Sequence, residues 1–254
     1  MILRHVTSAA FIFAVAAMCS VGGARLGLAA QSTQPTFPTA AAACEGLMRA
    51  VQNNDAQSIE RILGNRDGLA SSGDQTQDKA DRELFIRKYG EMHRLGQEAD
   101  HSMVLYLGAE NWPFPIPIVQ DGGVWRFDSD AGAREVMFRR IGENEEMAID
   151  VCREFVAGTH ADQEPVSLLK KAGHDSGKPE PVLYHGYYFR VLTPQATGAL
   201  RLLAYPAVYR SSGVMTFVVA GGAVYEKDLG ADTAAVGNGT KPARKDSTWH
   251  VAGD

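Results

Sequence analysis

The chain has 254 residues, 45% of them hydrophobic, and carries 25 basic against 30 acidic side chains for a net charge of −5 with histidine neutral. That apolar content is enough to bury a core, and the length allows one large domain or two small ones. The mixed, slightly acidic charge excludes a nucleic-acid binder, which needs a basic footprint.

The N-terminus reads as a secretory signal peptide over residues 1–30. Arg4 supplies the positive start, and an apolar run from Ala9 to Met18 follows. That run is shorter than the ~20 residues a membrane helix needs. Gly27-Leu28-Ala29-Ala30 then offers the small side chains a signal peptidase requires, placing cleavage after Ala29 or Ala30. Cys19 follows the bulky Met18, which argues against a lipoprotein site. Loss of Arg4 and Arg25 leaves 23 basic against 30 acidic residues, a charge of −7. No later stretch approaches ~18 consecutive apolar residues, so the mature chain is expected to have no transmembrane segment. The expected location is periplasmic or secreted.

Residues 31–37 read as a polar, disordered leader. Thr39 then caps a helix to about Asn53, with Cys44, Leu47, Met48 and Val51 at the i, i+3, i+4, i+7 spacing of one buried face. Asp55 caps a second, short helix carrying Ile59, Ile62 and Leu63, and Gly64 stops it. A third helix spans about Asp78 to Arg94, its apolar face built from Leu84, Phe85, Tyr89 and Met92. The period then changes to that of strands: Ser102 to Leu107, and a hairpin of Ile116 to Val119 with Gly123 to Phe127 across Asp121-Gly122. Between them, the three prolines in Asn111 to Pro117 hold the chain extended.

The longest periodic segment runs from Asp128, a natural helix cap, to about Ala157, with Val136, Met137, Ile141, Ala148, Val151, Cys152 and Phe155 facing inward. Gly142 at its middle predicts a kink or a close backbone approach. Residues 158–182 read as a linker, Gly- and Pro-containing and polar over most of their length. Strands are expected at Tyr187 to Thr193, Leu200 to Tyr205, Val214 to Val219 and Ala223 to Lys227, the last two joined by Gly221-Gly222. Their alternation predicts an antiparallel sheet with one buried face. Residues 231–254 read as a loosely ordered polar tail on which Trp249 is the one docking candidate. The expected organisation is therefore a helical α+β half over 38–157, the linker, and an antiparallel β half over 183–230.

No template for catalysis is met. There is no Gly-x-Ser-x-Gly elbow, no cofactor motif, and no histidine spacing suited to a metal. His101 at a strand edge and His185 before Gly186 read as structural, and Glu226-Lys227-Asp228 as a solvated strand end. Candidate binding residues are Arg139, Arg140 and Asn144 in the segment RRIGENE, together with Asp128. Arg139 faces Glu143 and Arg140 faces Asn144 at i+4, pairs that contribute only about 0.2–0.5 kcal/mol on an exposed helix. The segment is expected to join the long helix to the C-terminal sheet, with Asp228 as the carboxylate for Arg140. Cys44 and Cys152 read either as two buried thiols or as a disulfide. The function expected is a non-enzymatic binding or interaction protein of the bacterial envelope, its partner an envelope protein or a small ligand. The alternative is an envelope hydrolase using Asp128, Glu143 and a histidine.

Six segments occur in order: NWPFPIP (Asn111 to Pro117), WRFDSDAG (Trp125 to Gly132), RRIGENE (Arg139 to Glu145), YHGYYFRVLT (Tyr184 to Thr193), AYPAVYRSSGVMTFVV (Ala204 to Val219) and VYEKDLG (Val224 to Gly230). Together they resemble an exported bacterial family known as domain of unknown function 2950, over about Phe37 to Thr233. The resemblance implies the compartment and an α+β architecture, but no activity. The chain departs from the family pattern in its short segment around 158–180 and in Arg210, where the family tends to have glycine. At the level of fold alone, the first half is similar to the cystatin-like or nuclear-transport-factor-like class. The expected fold is thus α+β: N-terminal helices with a small antiparallel sheet, a long helix, then a C-terminal antiparallel β-meander.

Overall fold

The computed structural model describes residues 34–64, 66, 69–71, 75–157, 181–192 and 200–253. The expected signal peptide and nearly all of the expected linker lie outside these residues. The architecture is α+β, as read from the sequence. The chain divides into two compact units between Val136 and Met137. This boundary falls inside the long helix rather than at the segment 158–182. The reason is in the apolar stripe: Ala148, Val151 and Cys152 belong to the C-terminal core, so the second part of the helix folds with the second unit.

In the first unit, α1 (Ala40–Gln52) begins where Thr39 Oγ1 accepts from the N–H of Ala42. In the same way, Asp55 Oδ1 accepts from the N–H of Ser58 at the start of α2 (Ala56–Leu63). Each cap satisfies one of the donors a helix start leaves without an intrahelical partner. α3 (Gln75–Glu91) ends three residues earlier than expected, and the chain turns directly into β1 (His93–Gln97). β1 pairs antiparallel with β2 (Met103–Leu107), which also pairs with β3 (Trp112–Pro113) and β4 (Ile118–Asp121). β4 and β5 (Val124–Phe127) form the expected hairpin, but Asp121 pairs with Val124, so Gly122-Gly123 makes the turn. Leu105, Leu107, Ile118 and Phe127 are fully buried with Leu47 of α1 in one core.

The leader is not disordered from Gln34 onward. Phe37 exchanges two backbone hydrogen bonds of 2.8 Å with Trp125 on β5, and Gln34 Nε2 donates to the carbonyls of Ile62 and Phe127. A polar, proline-containing stretch can still form a β-bridge to the sheet, because the backbone supplies the bonds.

α4 (Ser129–Ala157) crosses from the first unit into the second. Among the described residues, the second unit holds six antiparallel strands in the order β11-β10-β9-β8-β7-β6. These are β6 (Val182–Tyr184), β7 (Tyr187–Val191), β8 (Leu200–Pro206), β9 (Met215–Ala220), β10 (Ala223–Asp228) and β11 (His250–Val251). Four were expected; β6 and β11, at the edges, are too short to give a pattern. Gly221 and Gly222 take φ of 56° and 82° in the β9–β10 turn, a left-handed pair that side chains disfavour.

Both faces of this sheet are buried, where one was expected. Tyr187, Phe189, Leu202, Ala204, Phe217 and Val219 pack with Ala148, Val151 and Cys152 of α4. Leu203, Tyr205 and Val218, on the opposite face, pack with Val236 and Trp249. The tail therefore folds: a 3-10 turn (Gly230–Asp232) leads into α5 (Thr233–Gly237), and Trp249 Nε1 donates to the carbonyl of Arg244. The unbroken apolar run Leu202 to Tyr205 is what a strand buried on both faces requires.

Candidate functional site

The candidate site is an apolar cavity of about 60 Å³ in the first unit. Leu47 and Val51 of α1, Ile59 and Leu63 of α2, and Trp112, Phe114, Pro115 and Ile116 of the extended segment contribute to its wall. α3 contributes Asp78, Asp81, Arg82 and Phe85. Asp78, Asp81 and Phe85 recur at i, i+3 and i+7, so they share one helical face, and Tyr89 continues it. That face is the buried one. Met92, assigned to it from the sequence, is 38% exposed instead.

Two carboxylates thus stand where periodicity expects apolar side chains. Asp78 sits in the first turn of α3, where a negative charge is favourable, and its Oδ2 accepts from Ser71 Oγ at 2.5 Å. Arg82 Nη1 donates to Asn54 Oδ1 at 2.7 Å, while its Nη2 lies 4.0 Å from Asp78 Oδ2. Asp81 is 7% exposed. Its Oδ1 accepts from Gln77 Nε2 at 2.8 Å, and its Oδ2 is buried with no hydrogen-bond partner among the described residues. Burial pushes the Asp81 carboxyl above the usual carboxylate range; the bond from Gln77 opposes this, and the charge of Asp78 adds to it.

The consequence for stability has a definite sign. A carboxyl whose pKa is raised on folding binds its proton more tightly in the folded state, so stability falls as pH rises through the carboxylate range. Asp81→Asn removes that loss. The variant is expected to melt a few degrees above the wild type at pH 7, the gain disappearing near pH 3, which thermal melts across pH will check. A variant that melts below the wild type at pH 7 would show that Asp81 is paired.

The residues picked out from sequence are placed elsewhere. Asp128 caps α4, its Oδ1 accepting from the N–H groups of Asp130 and Ala131. A polar hollow beside it contains Arg66, Arg126 and Arg134, but the helix donors there are taken by Asp128 and Arg66 pairs with Asp130. Burial pushes the Glu143 carboxyl up; Arg139 opposes this, and Glu146 adds to it.

Asn144 does not pair with Arg140: its Nδ2 donates to the carbonyl of Ser212 at 2.8 Å. Arg140 Nε is buried without a hydrogen-bond partner among the described residues. Asp228 instead accepts from the Tyr209 hydroxyl and from the N–H of Gly230. Gly142 is exposed, and a Cβ there would meet nothing within 4 Å among the described residues, so none of their backbone approaches it. RRIGENE does contact the sheet of the second unit, but through Asn144 and through Glu145, which the sequence reading passed over. Glu145 Oε1 accepts from the N–H of Val214 at 2.7 Å and of Met215 at 3.0 Å.

Cys44 and Cys152 are free thiols, one in the core of each unit, and burial pushes both up to about 12. His101 and His185 both lie in turns, with φ of 67° and 43°. Among the described residues, no group of three or more His, Cys, Asp or Glu could hold a metal ion, and no helix is long and apolar enough to cross a membrane.

The missing signal for Asp78 and Asp81 is physical. An acid at a core period scores as a break in a helix face, and only the fold shows that α1 and the Trp112 to Ile116 segment enclose it. The model of a family described as protein of unknown function (DUF2950) matches residues 34–164 and 157–252. No curated protein and no solved structure matches the chain. Arg210 takes a φ of 62°, a conformation glycine adopts freely.

Proposed function

The chain belongs to the DUF2950 family of proteins of unknown function, and we propose that it is an exported envelope protein that acts by binding, taking a small, largely apolar molecule into the cavity of the first unit. The observation that carries this reading is the combination of apolar walls with one buried, unpartnered carboxylate oxygen. Ligand sites pair such walls with a few polar groups that fix orientation. A buried acid without a full set of partners costs stability, and natural proteins tolerate that cost chiefly where it serves a site. Export rests on the N-terminal sequence: Arg4, the apolar run and the small residues up to Ala30.

Two measurements test the proposal. Xenon suits a small dry cavity; under pressure it is expected to shift the methyl resonances of Val51, Leu63 and Ile116 in the first unit. Those of Val218 and Leu203 in the second are expected to stay in place. Unmoved cavity methyls would remove the binding site. For export, protein recovered from the envelope fraction of a bacterial host is expected to begin at Ala30 or Gln31. An intact Met1 on all of the recovered protein would sink that part.

A further inference from the structure

We propose that the ligand of this cavity is a short primary amine, held as its ammonium ion by an N–H donated to Asp81 Oδ2, with its hydrocarbon part against Phe85, Trp112 and Phe114. The inference rests on the binding reading above and adds the chemical class of the ligand.

The charge around the cavity selects the sign. Among the described residues, Asp78 and Asp81 both contribute to its wall, against a single cation, Arg82, whose guanidinium is engaged by Asn54. An anionic ligand would meet two carboxylates. The rings select the same sign independently. Phe114 stands edge to face with Phe85 at 5.6 Å and with Trp112 at 6.4 Å between centroids. Such clusters present π faces with negative potential, which attract ammonium groups.

The unpartnered oxygen selects the kind of cation. Asp81 Oδ1 is taken by Gln77, so the unmet demand is for one donor hydrogen at Oδ2. A quaternary ammonium carries positive charge but no N–H. An alcohol carries a donor hydrogen but no charge, and leaves a buried carboxylate uncompensated. A primary ammonium supplies both, and its charge-assisted bond is the stronger kind. The raised pKa of Asp81 agrees with a site lacking its counter-ion. A cavity of about 60 Å³ limits what enters to the head group and a short chain.

The test titrates the mature chain with n-butylamine, n-butyltrimethylammonium, n-butanol and sodium butyrate, reading calorimetry and the cavity methyl resonances. Butylamine is expected to bind at least about ten-fold more tightly than butanol, with butyrate not binding and the trimethylammonium compound weaker than the amine. Asp81→Asn is expected to lower the affinity for butylamine by about ten-fold or more while leaving butanol unchanged. The xenon shifts establish that the variant's cavity is intact. Equal binding of the two cations would assign recognition to the rings alone and overturn the role of Oδ2. Butylamine no tighter than butanol, or an Asp81→Asn protein that binds the amine like the wild type, would overturn the amine. In those cases the xenon response would still stand. Loss of the xenon response itself would instead overturn the binding reading on which the inference rests.

Discussion

Gly213→Ala is expected to destabilise the chain by about 3 kcal/mol, at the upper end of what overpacking a core costs. Gly213 is buried beside β9, and its carbonyl accepts from the N–H of Arg210 at 2.7 Å. A Cβ added there would lie 2.5 Å from Cε2 and Cζ of Tyr187 and closer still to its hydroxyl. Real carbon atoms do not approach so closely, so something must move. Tyr187 has nowhere to go: it is fully buried, and its hydroxyl donates to the carbonyl of Met215 at 2.8 Å. The strain therefore falls on the 209–213 loop or on β7. With roughly 2–4 °C of melting temperature per kcal/mol at this chain length, the variant should melt roughly 6–12 °C below the wild type. Tyr187→Phe removes the nearest atom but keeps the ring carbons, so the double variant should be less destabilised than the two single losses added together. A Gly213→Ala protein that melts within a degree of the wild type would show that this packing yields.

Signals that act between neighbours in the chain were legible without coordinates. Thr39, Asp55 and Asp128 are caps because a short oxygen side chain reaches an N–H two or three residues ahead, and all three start helices as read. Gly221-Gly222 is a turn for an equally local reason. β1 was missed because His93-Arg94-Leu95-Gly96-Gln97 has no β-branched residue and continues the polar pattern of α3. Its strand form comes from pairing with β2, a tertiary cause. The tail was missed for a related reason. Val236 and Trp249 are isolated apolar residues in polar sequence, and only the second face of the sheet gives them a core.

The candidate site follows the same division. Asp81 matters through its buried Oδ2, which lacks a partner, and through its place in the wall of a cavity assembled from α1, α2, α3 and the Trp112 to Ile116 segment. No residue near it in sequence announces that enclosure. RRIGENE was the reverse case: the segment was legible, but the working residues were not. Arginines draw attention because their pairs are sought among other side chains. Glu145 instead bonds backbone N–H groups 69 and 70 residues away, which leave no trace in composition or spacing.

The joining role expected of Arg140 thus falls to Glu145. Glu145→Ala is expected to destabilise the chain by about 3 kcal/mol. It leaves the N–H groups of Val214 and Met215 without their side-chain acceptor at the entry to β9, and each unsatisfied buried group costs about 1–3 kcal/mol. The Tyr187 hydroxyl, 3.5 Å from the same oxygen, also loses a polar neighbour. Glu145→Gln keeps an acceptor oxygen of the same reach but gives up the charge, and charge-assisted bonds are roughly twice as strong as neutral ones. It should therefore fall between the alanine variant and the wild type. Arg140→Ala removes a guanidinium whose Nε has no hydrogen-bond partner among the described residues, so it should cost less than either. Thermal melts of the three variants are expected to rank Glu145→Ala lowest, then Glu145→Gln, then Arg140→Ala. If Arg140→Ala melts lowest, the arginine carries the join after all, and the Glu145 bonds to β9 are incidental to it.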